Sequence, residues 1–210
     1  MTCRDRNVNS SKALLLGLNL ENILNIITIT GDPVPTAEKD EVKSVFQFNS
    51  TKFATLVSDM NEKVFTNKMN IGGALNLNAN KFDLEIKRAQ AKEKAGVNVF
   101  YTQPVISKTA VENLKIARKE LKSYIMGGVM PIVSYKNALF MNSEASGIRL
   151  DDDIIERYKG LEREEASRLA VEITSDFMRQ IEDYVDGYYI ITPFSRVDIV
   201  GKLIQLFKSV

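Results

Sequence analysis

The chain has 210 residues, 44% of them apolar, and a formal net charge of +1. That supports one sizeable core, and excludes both the broad positive field of a nucleic-acid binder and an acidic tail. One cysteine, Cys3, and no histidine exclude an internal disulfide, a Ser-His-Asp or Cys-His nucleophile, and a histidine or multi-thiolate metal site.

Chemistry then falls to carboxylates, amides, hydroxyls, lysine and arginine, or to a bound cofactor. No apolar run approaches the ~20 residues of a membrane span. No signal-peptide pattern opens the chain. The expectation is a cytoplasmic protein that engages neither membrane nor nucleic acid.

Met1 to Arg4 reads as a short strand ending in Asp5-Arg6-Asn7. Ile23 to Thr30 is a second, rich in Ile and Thr, which favour the pleated conformation. It stops at Gly31-Asp32-Pro33, where glycine frees the backbone and Pro33 and Pro35 forbid further pairing. Asp32 is the one ionisable side chain in this turn and sits just past the strand's carboxyl end, the end where α/β proteins bind ligands.

Val34 to Phe48 reads as a long strand-to-helix loop. Asn49-Ser50 then starts a helix that carries Phe53, Leu56 and Val57. Further strands are expected at Lys68 to Leu75, ending in Asn76, and at Val97 to Gln103, ending in Pro104. Between them a helix carries Phe82, Ile86 and Ala89 and ends near Gly96.

Ser107 is the expected N-cap of a helix whose apolar stripe is Ala110, Leu114, Ala117 and Leu121. Tyr124 to Pro131 is the next strand. Phe140 to Asp153 reads as an irregular insertion, and Asp151-Asp152-Asp153 suits a helix N-terminus. Leu169, Ile173, Phe177, Ile181 and Tyr184 form a long helical stripe. Tyr188 to Pro193 is the last strand.

The strand runs lack strict alternation, as expected of parallel strands buried on both faces. Alternating strands and helices indicate a parallel sheet with right-handed crossovers. About six strands are expected, fewer than a closed (β/α)8 barrel holds. The periodicity alone leaves two architectures: an open doubly wound sheet, or a barrel lacking its first units. No linker or repeat divides the chain, so residues 1–210 are read as a single domain.

The strand ends carry distinctive pieces: TCRDRN at Thr2 to Asn7, ITGDP at Ile29 to Pro33, IGGALN at Ile71 to Asn76, KAGVNVFYTQPV at Lys94 to Val105, and GGVMPIVSYKNA at Gly127 to Ala138. In order and spacing these resemble methylenetetrahydrofolate reductase, and the TQPV and ITGDP forms most resemble the reductase half of a fused homocysteine methyltransferase/methylenetetrahydrofolate reductase. The resemblance implies a TIM barrel, here incomplete, in which FAD takes a hydride from NAD(P)H and passes it to methylenetetrahydrofolate, feeding methionine synthesis.

The resemblance also implies that the family's first two strands, including its general acid, precede Met1. Reductase turnover by these 210 residues alone is then expected to be weak. The partners it implies are the folate substrate, a homo-oligomer, or a partnered or fused methyltransferase domain. A non-catalytic folate- or flavin-binding subunit is the alternative, and a pterin-handling methyltransferase barrel without flavin is a third.

Residue by residue, Asp32 resembles the family aspartate beside the flavin and folate, and Gln103 the glutamine that bonds the pterin. The two are expected to face one pocket. Thr30, Gly31 and Asn76 match cofactor contacts. Glu85, Arg88 and Lys92, at helical spacing on one face, match positions that hold the flavin's ribose and phosphates; the bland alternative is a solvated charged face. Tyr135 matches an aromatic that packs on folate or nicotinamide, and Arg196 an arginine near the folate tail. Leu77, Ala91 and the Thr192-Pro193-Phe194-Ser195 tail depart from the family pattern. No metal is implied.

Overall fold

A computed structural model describes residues 1–32, 43–143 and 147–207. In chain order the elements are α1 (Val8–Leu20), β1 (Asn25–Thr28), α2 (Ser50–Lys63), β2 (Asn70–Leu75), α3 (Phe82–Lys94), β3 (Val99–Pro104), α4 (Lys108–Glu120), β4 (Tyr124–Val129), α5 (Tyr135–Ser143), α6 (Asp152–Arg157), α7 (Arg163–Ile181), β5 (Gly187–Ile190) and α8 (Val197–Phe207). The strands form one five-stranded sheet in the order β1-β2-β3-β4-β5. Spatial order thus equals chain order, with no reversal. A doubly wound sheet must reverse at its switch point, whereas a barrel does not. The architecture is therefore barrel-like α/β, short of a closed ring among the described residues.

The chain separates into two compact units. The first holds Met1–Ala74, Ile86–Phe100 and Leu121–Ser123. There β1 pairs parallel with β2, Asn25 opposite Asn70 and Thr28 opposite Gly73. Three asparagines pin the amino ends of the strands. Asn70 donates to Asn25 at 2.8 Å, and Asn98 to Asn70 at 3.2 Å. Asn61 clamps Met69 through its amide N–H and carbonyl at 2.8 and 2.9 Å, fixing the entry to β2. The expected cap of α2 forms, Asn49 accepting from the Lys52 N–H at 2.9 Å. The helix then buries Phe53, Ala54, Val57 and Met60.

The second unit holds Leu75–Glu85, Tyr101–Glu120 and Tyr124–Val210. Here β4 pairs parallel with β5, Met126 opposite Gly187. Val129, Val133, Ala170, Met178, Ile199 and Leu203 form a core, with Tyr188 and Phe207 packed against it. Ser107 caps α4 as expected, accepting from the Ala110 N–H at 3.2 Å. Asp186 ties three elements together. It takes the Arg118 guanidinium at 2.8 and 3.4 Å and the Ile125 N–H at 2.7 Å.

Several readings need correction. Met1 to Arg4 is not a full strand: it makes one parallel bridge, Thr2 to Ile29, supported by the Cys3 N–H to Ile29 carbonyl bond at 2.8 Å. The strands are not all buried on both faces. Along β3, Phe100, Thr102 and Pro104 are buried while Val99, Tyr101 and Gln103 are only half-buried.

Helices α1, α5 and α8 have no counterpart among the expected elements, although α8 buries Ile199, Val200 and Leu203 on one face. Phe140 to Ser143 is the last turn of α5, not insertion. Asp151-Asp152-Asp153 does open a helix, with Asp152 and Asp153 in the first turn of α6; the Asp151 carboxylate makes no cap there and accepts the Lys108 N–H at the start of α4 instead, at 2.9 Å. Residues 33–42 of the proposed long loop, with Pro33 and Pro35, lie outside the described residues.

Gly128 is demanded by packing. A Cβ there would lie 2.8 Å from the Tyr189 hydroxyl, 2.9 Å from the Thr102 carbonyl and 3.1 Å from the Gln103 carbonyl carbon. Two of these are backbone atoms that cannot swing aside. Overpacking of this kind costs about 1–3 kcal/mol. Gly128→Ala is expected to lower unfolding free energy by about 2–3 kcal/mol in a denaturant titration; an unchanged midpoint would contradict the packing.

Candidate functional site

Parallel strands bring their carboxyl ends to one edge, so the residues just after β1, β2, β3 and β5 are the natural site positions. In the first unit these are Thr30, Gly31 and Asp32. Thr30 accepts the Ser50 N–H through its hydroxyl at 3.1 Å, which ties the strand end to α2. Gly31 has φ +91, and a Cβ there would meet Arg4 Cβ at 3.1 Å. A side chain would be strained twice over. Asp32 is exposed. Arg4 reaches only its backbone carbonyl, at 2.9 Å, and no described residue bonds its carboxylate. Thr30 and Gly31 line a groove of about 460 Å³ with Phe46, Phe48, Asn49 and Lys52.

Lys92, on α3 in the same unit, turns its ammonium onto the Ala74 carbonyl at 2.6 Å. Arg88 is exposed. The remaining member of that trio, Glu85, lies in the second unit and is buried at 8% exposure. Its carboxylate accepts the Asn76 N–H at 3.2 Å. The three therefore do not present one solvated charged face: Glu85 and Lys92 are spent in part on the backbone at the end of β2.

The second unit brings two expected amides together. Asn76 follows β2, and Gln103 stands near the end of β3. A Cβ built on Gly147 would lie 3.2 Å from Asn76 Nδ2 and 3.3 Å from Gln103 Cγ, so both side chains border the same backbone. Gln103 is half-buried, and its amide has no hydrogen-bond partner among the described residues. An unengaged amide at a strand end is a ready donor–acceptor pair. Asn76 is fixed at its other side, its Oδ1 accepting the Asn78 N–H at 3.0 Å.

Tyr135 opens α5 and is half-buried. It lies near Lys159, whose ammonium is raised first by its bond to Glu156 and, less, by Tyr135. Arg196 follows β5. Its guanidinium is held two ways by Asp198, at 2.9 and 2.7 Å, and donates to the Ser167 hydroxyl at 2.8 Å. An arginine fork that would suit a ligand carboxylate is thus already occupied by one of the chain's own.

Sequence reasoning missed Asn78, whose signal was present in Asn76-Leu77-Asn78 as an Asx turn, and Gly147, which no pattern marked. Among the described residues, no group of three or more His, Cys, Asp or Glu could hold a metal. No described helix is long and apolar enough to cross a membrane.

The family model for methylenetetrahydrofolate reductase matches residues 1–192. The chain belongs to the methylenetetrahydrofolate reductase family. A search of curated proteins finds no match.

Among solved structures, an uncharacterised Clostridium thermocellum protein, described as binding two copies of 5-methyl-5,6,7,8-tetrahydrofolic acid, is similar at TM-score 0.53 and 17% identity. The match covers 76% of this chain, which spans 58% of that protein's length. A dihydrodipicolinate synthase matches over all of this chain and 76% of its own, at TM-score 0.43 and 12% identity. The tryptophan synthase alpha subunit of Legionella pneumophila matches over all of this chain and 83% of its own, at TM-score 0.36 and 13% identity. At such identities the first of these supports the fold.

Asp198 supplies a test of the Arg196 geometry. The bond from Arg196 holds its carboxyl down to about 2, from 3.8. A depressed carboxyl favours the folded state above its unfolded value, and that contribution is lost as pH falls through the folded one. NMR titration is expected to find Asp198 ionised down to about pH 2, and Arg196→Gln to return it to the ordinary carboxylate range. An unperturbed Asp198 in the parent protein would show the fork to be free.

Proposed function

We propose that this member of the family is a flavin-dependent reductase of methylenetetrahydrofolate, using NAD(P)H and yielding methyltetrahydrofolate for methionine synthesis. The observation that carries the reading is the Gln103 amide: half-buried, without a described partner, and beside Asn76 at the strand ends. A pterin edge offers a donor and an acceptor side by side, which a primary amide complements.

Asp32 would supply negative charge to the cationic iminium formed when the folate ring opens, and an exposed carboxylate with no described partner is free to do so. Tyr135 would pack on the substrate. Arg196 would take a folate carboxylate only by exchanging Asp198 for it.

The donor set fits a flavin in part. Thr30 and Gly31 border a groove with two phenylalanine rings and the Lys52 ammonium, Asp32 follows them in the chain, and Arg88 is an exposed cation suited to a phosphate. Asn76, Glu85 and Lys92 complete the proposed FAD contacts, with Glu85 and Lys92 acting mainly through the β2 backbone they already bond. The bound flavin would carry the hydride from NAD(P)H to the folate. The proposal treats residues 1–210 as one barrel domain, cytoplasmic, acting as an oligomer or beside a homocysteine methyltransferase domain.

A folate-binding protein without turnover is the second reading, favoured by the Clostridium neighbour, whose description names methyltetrahydrofolate. Purification with added FAD separates the two. The reductase reading expects a yellow protein that binds 5-methyltetrahydrofolate, with Gln103→Ala weakening that binding about tenfold, the worth of a buried hydrogen bond. Asp32→Asn is expected to leave folate binding within about threefold and to depress any hydride transfer by at least about tenfold. A colourless protein that binds folate supports the second reading. One that binds neither overturns both.

A further inference from the structure

The segment 147–151 is fastened at nearly every residue. The Gly147 carbonyl accepts from the Asn78 amide at 2.9 Å. Arg149 donates to Asn80 at 2.7 Å. The Leu150 N–H reaches Asn142 at 3.1 Å, and Asp151 takes the Lys108 N–H at 2.9 Å. Asn78 and Asn80 follow β2, and Lys108 opens the helix after β3. The segment is therefore strapped across the outlets of those two strands, all within the second unit.

Asn78 is the central fastening. It is buried at 7% exposure. Its Oδ1 accepts from the Ser107 hydroxyl at 3.3 Å while its Nδ2 holds Gly147, so both halves of the amide are used. The residue it holds has φ +78, which disfavours any side chain. A Cβ there would also crowd both amide atoms of Asn76, at 3.2 and 3.3 Å, and Gln103 Cγ at 3.3 Å.

We propose that Gly147 determines specificity: held by Asn78, its bare backbone is a wall of the ligand site beside Asn76 and Gln103, and the missing side chain leaves the Gln103 amide room to turn toward a flat heteroaromatic ring while Asn76 keeps the place its bond to Asn78 gives it. This rests on the reading of Gln103 as the amide that meets the ligand. A methyl group at 147 would force both amides aside. Asn78→Asp would unfasten the strap selectively, because a carboxylate still accepts from Ser107 but cannot donate to the Gly147 carbonyl.

The test measures the Kd for 5-methyltetrahydrofolate on the full chain, for the parent protein, Gly147→Ala, Asn78→Asp and Asn7→Ala. The last removes the cap of α1 and controls for loss of stability alone. Gly147→Ala and Asn78→Asp are each expected to raise Kd about tenfold with an unchanged circular dichroism spectrum, while Asn7→Ala lowers the melting temperature and leaves Kd unchanged. If Gly147→Ala does not fold, Asn78→Asp decides. Unchanged Kd in the folded strap variants overturns this proposal and leaves the reductase reading intact. A parent protein that binds no folate overturns both.

Discussion

Parallel pairing in unbroken chain order is the constraint on which the remaining structure depends. A parallel register sends every crossover through a helix and delivers every strand's carboxyl end to the same edge. In this chain the amino ends are pinned by side chains rather than by turns. Asn25, Asn70 and Asn98 form a ladder of amides at 2.8 and 3.2 Å. With that end fixed, the carboxyl end can carry irregular, polar loops, as enzymes built on this architecture do.

The polar residues at those ends divide into two kinds. Asn78, Ser107, Asp151 and Glu85 are satisfied by the protein and hold backbone in place. Gln103 and Asp32 are not engaged by described residues through their side chains. Buried or half-buried polar groups are ordinarily paired, so an unengaged amide among satisfied neighbours is the feature on which the proposed function rests. Membership of the methylenetetrahydrofolate reductase family is what makes a pterin edge the proposed partner of that amide.

Arg196 and the Glu85–Arg88–Lys92 trio show why side-chain type at a matching position does not settle a role. Each has the charge its proposed role requires. Yet Arg196 is engaged by Asp198, and Glu85 and Lys92 by the β2 backbone. A guanidinium or ammonium takes the best local acceptor, and sequence spacing does not reveal which acceptor the fold will bring near.

By itself the sequence determined the alternation of strands and helices, the caps at Asn49 and Ser107, and the Gly-Asp turn after β1. These are local, set by propensity and by orphan N–H groups within a few residues. It also carried the family in its strand-end motifs. Only the tertiary structure decided between a doubly wound sheet and a barrel-type one, because strand order depends on pairings between residues far apart in the chain. It likewise decided that Asp151 would cap α4 instead of its own helix, and that Gly147 would lie against Asn76 and Gln103. Those contacts join residues separated by dozens of positions, and no local pattern encodes which distant backbone will close over a strand end.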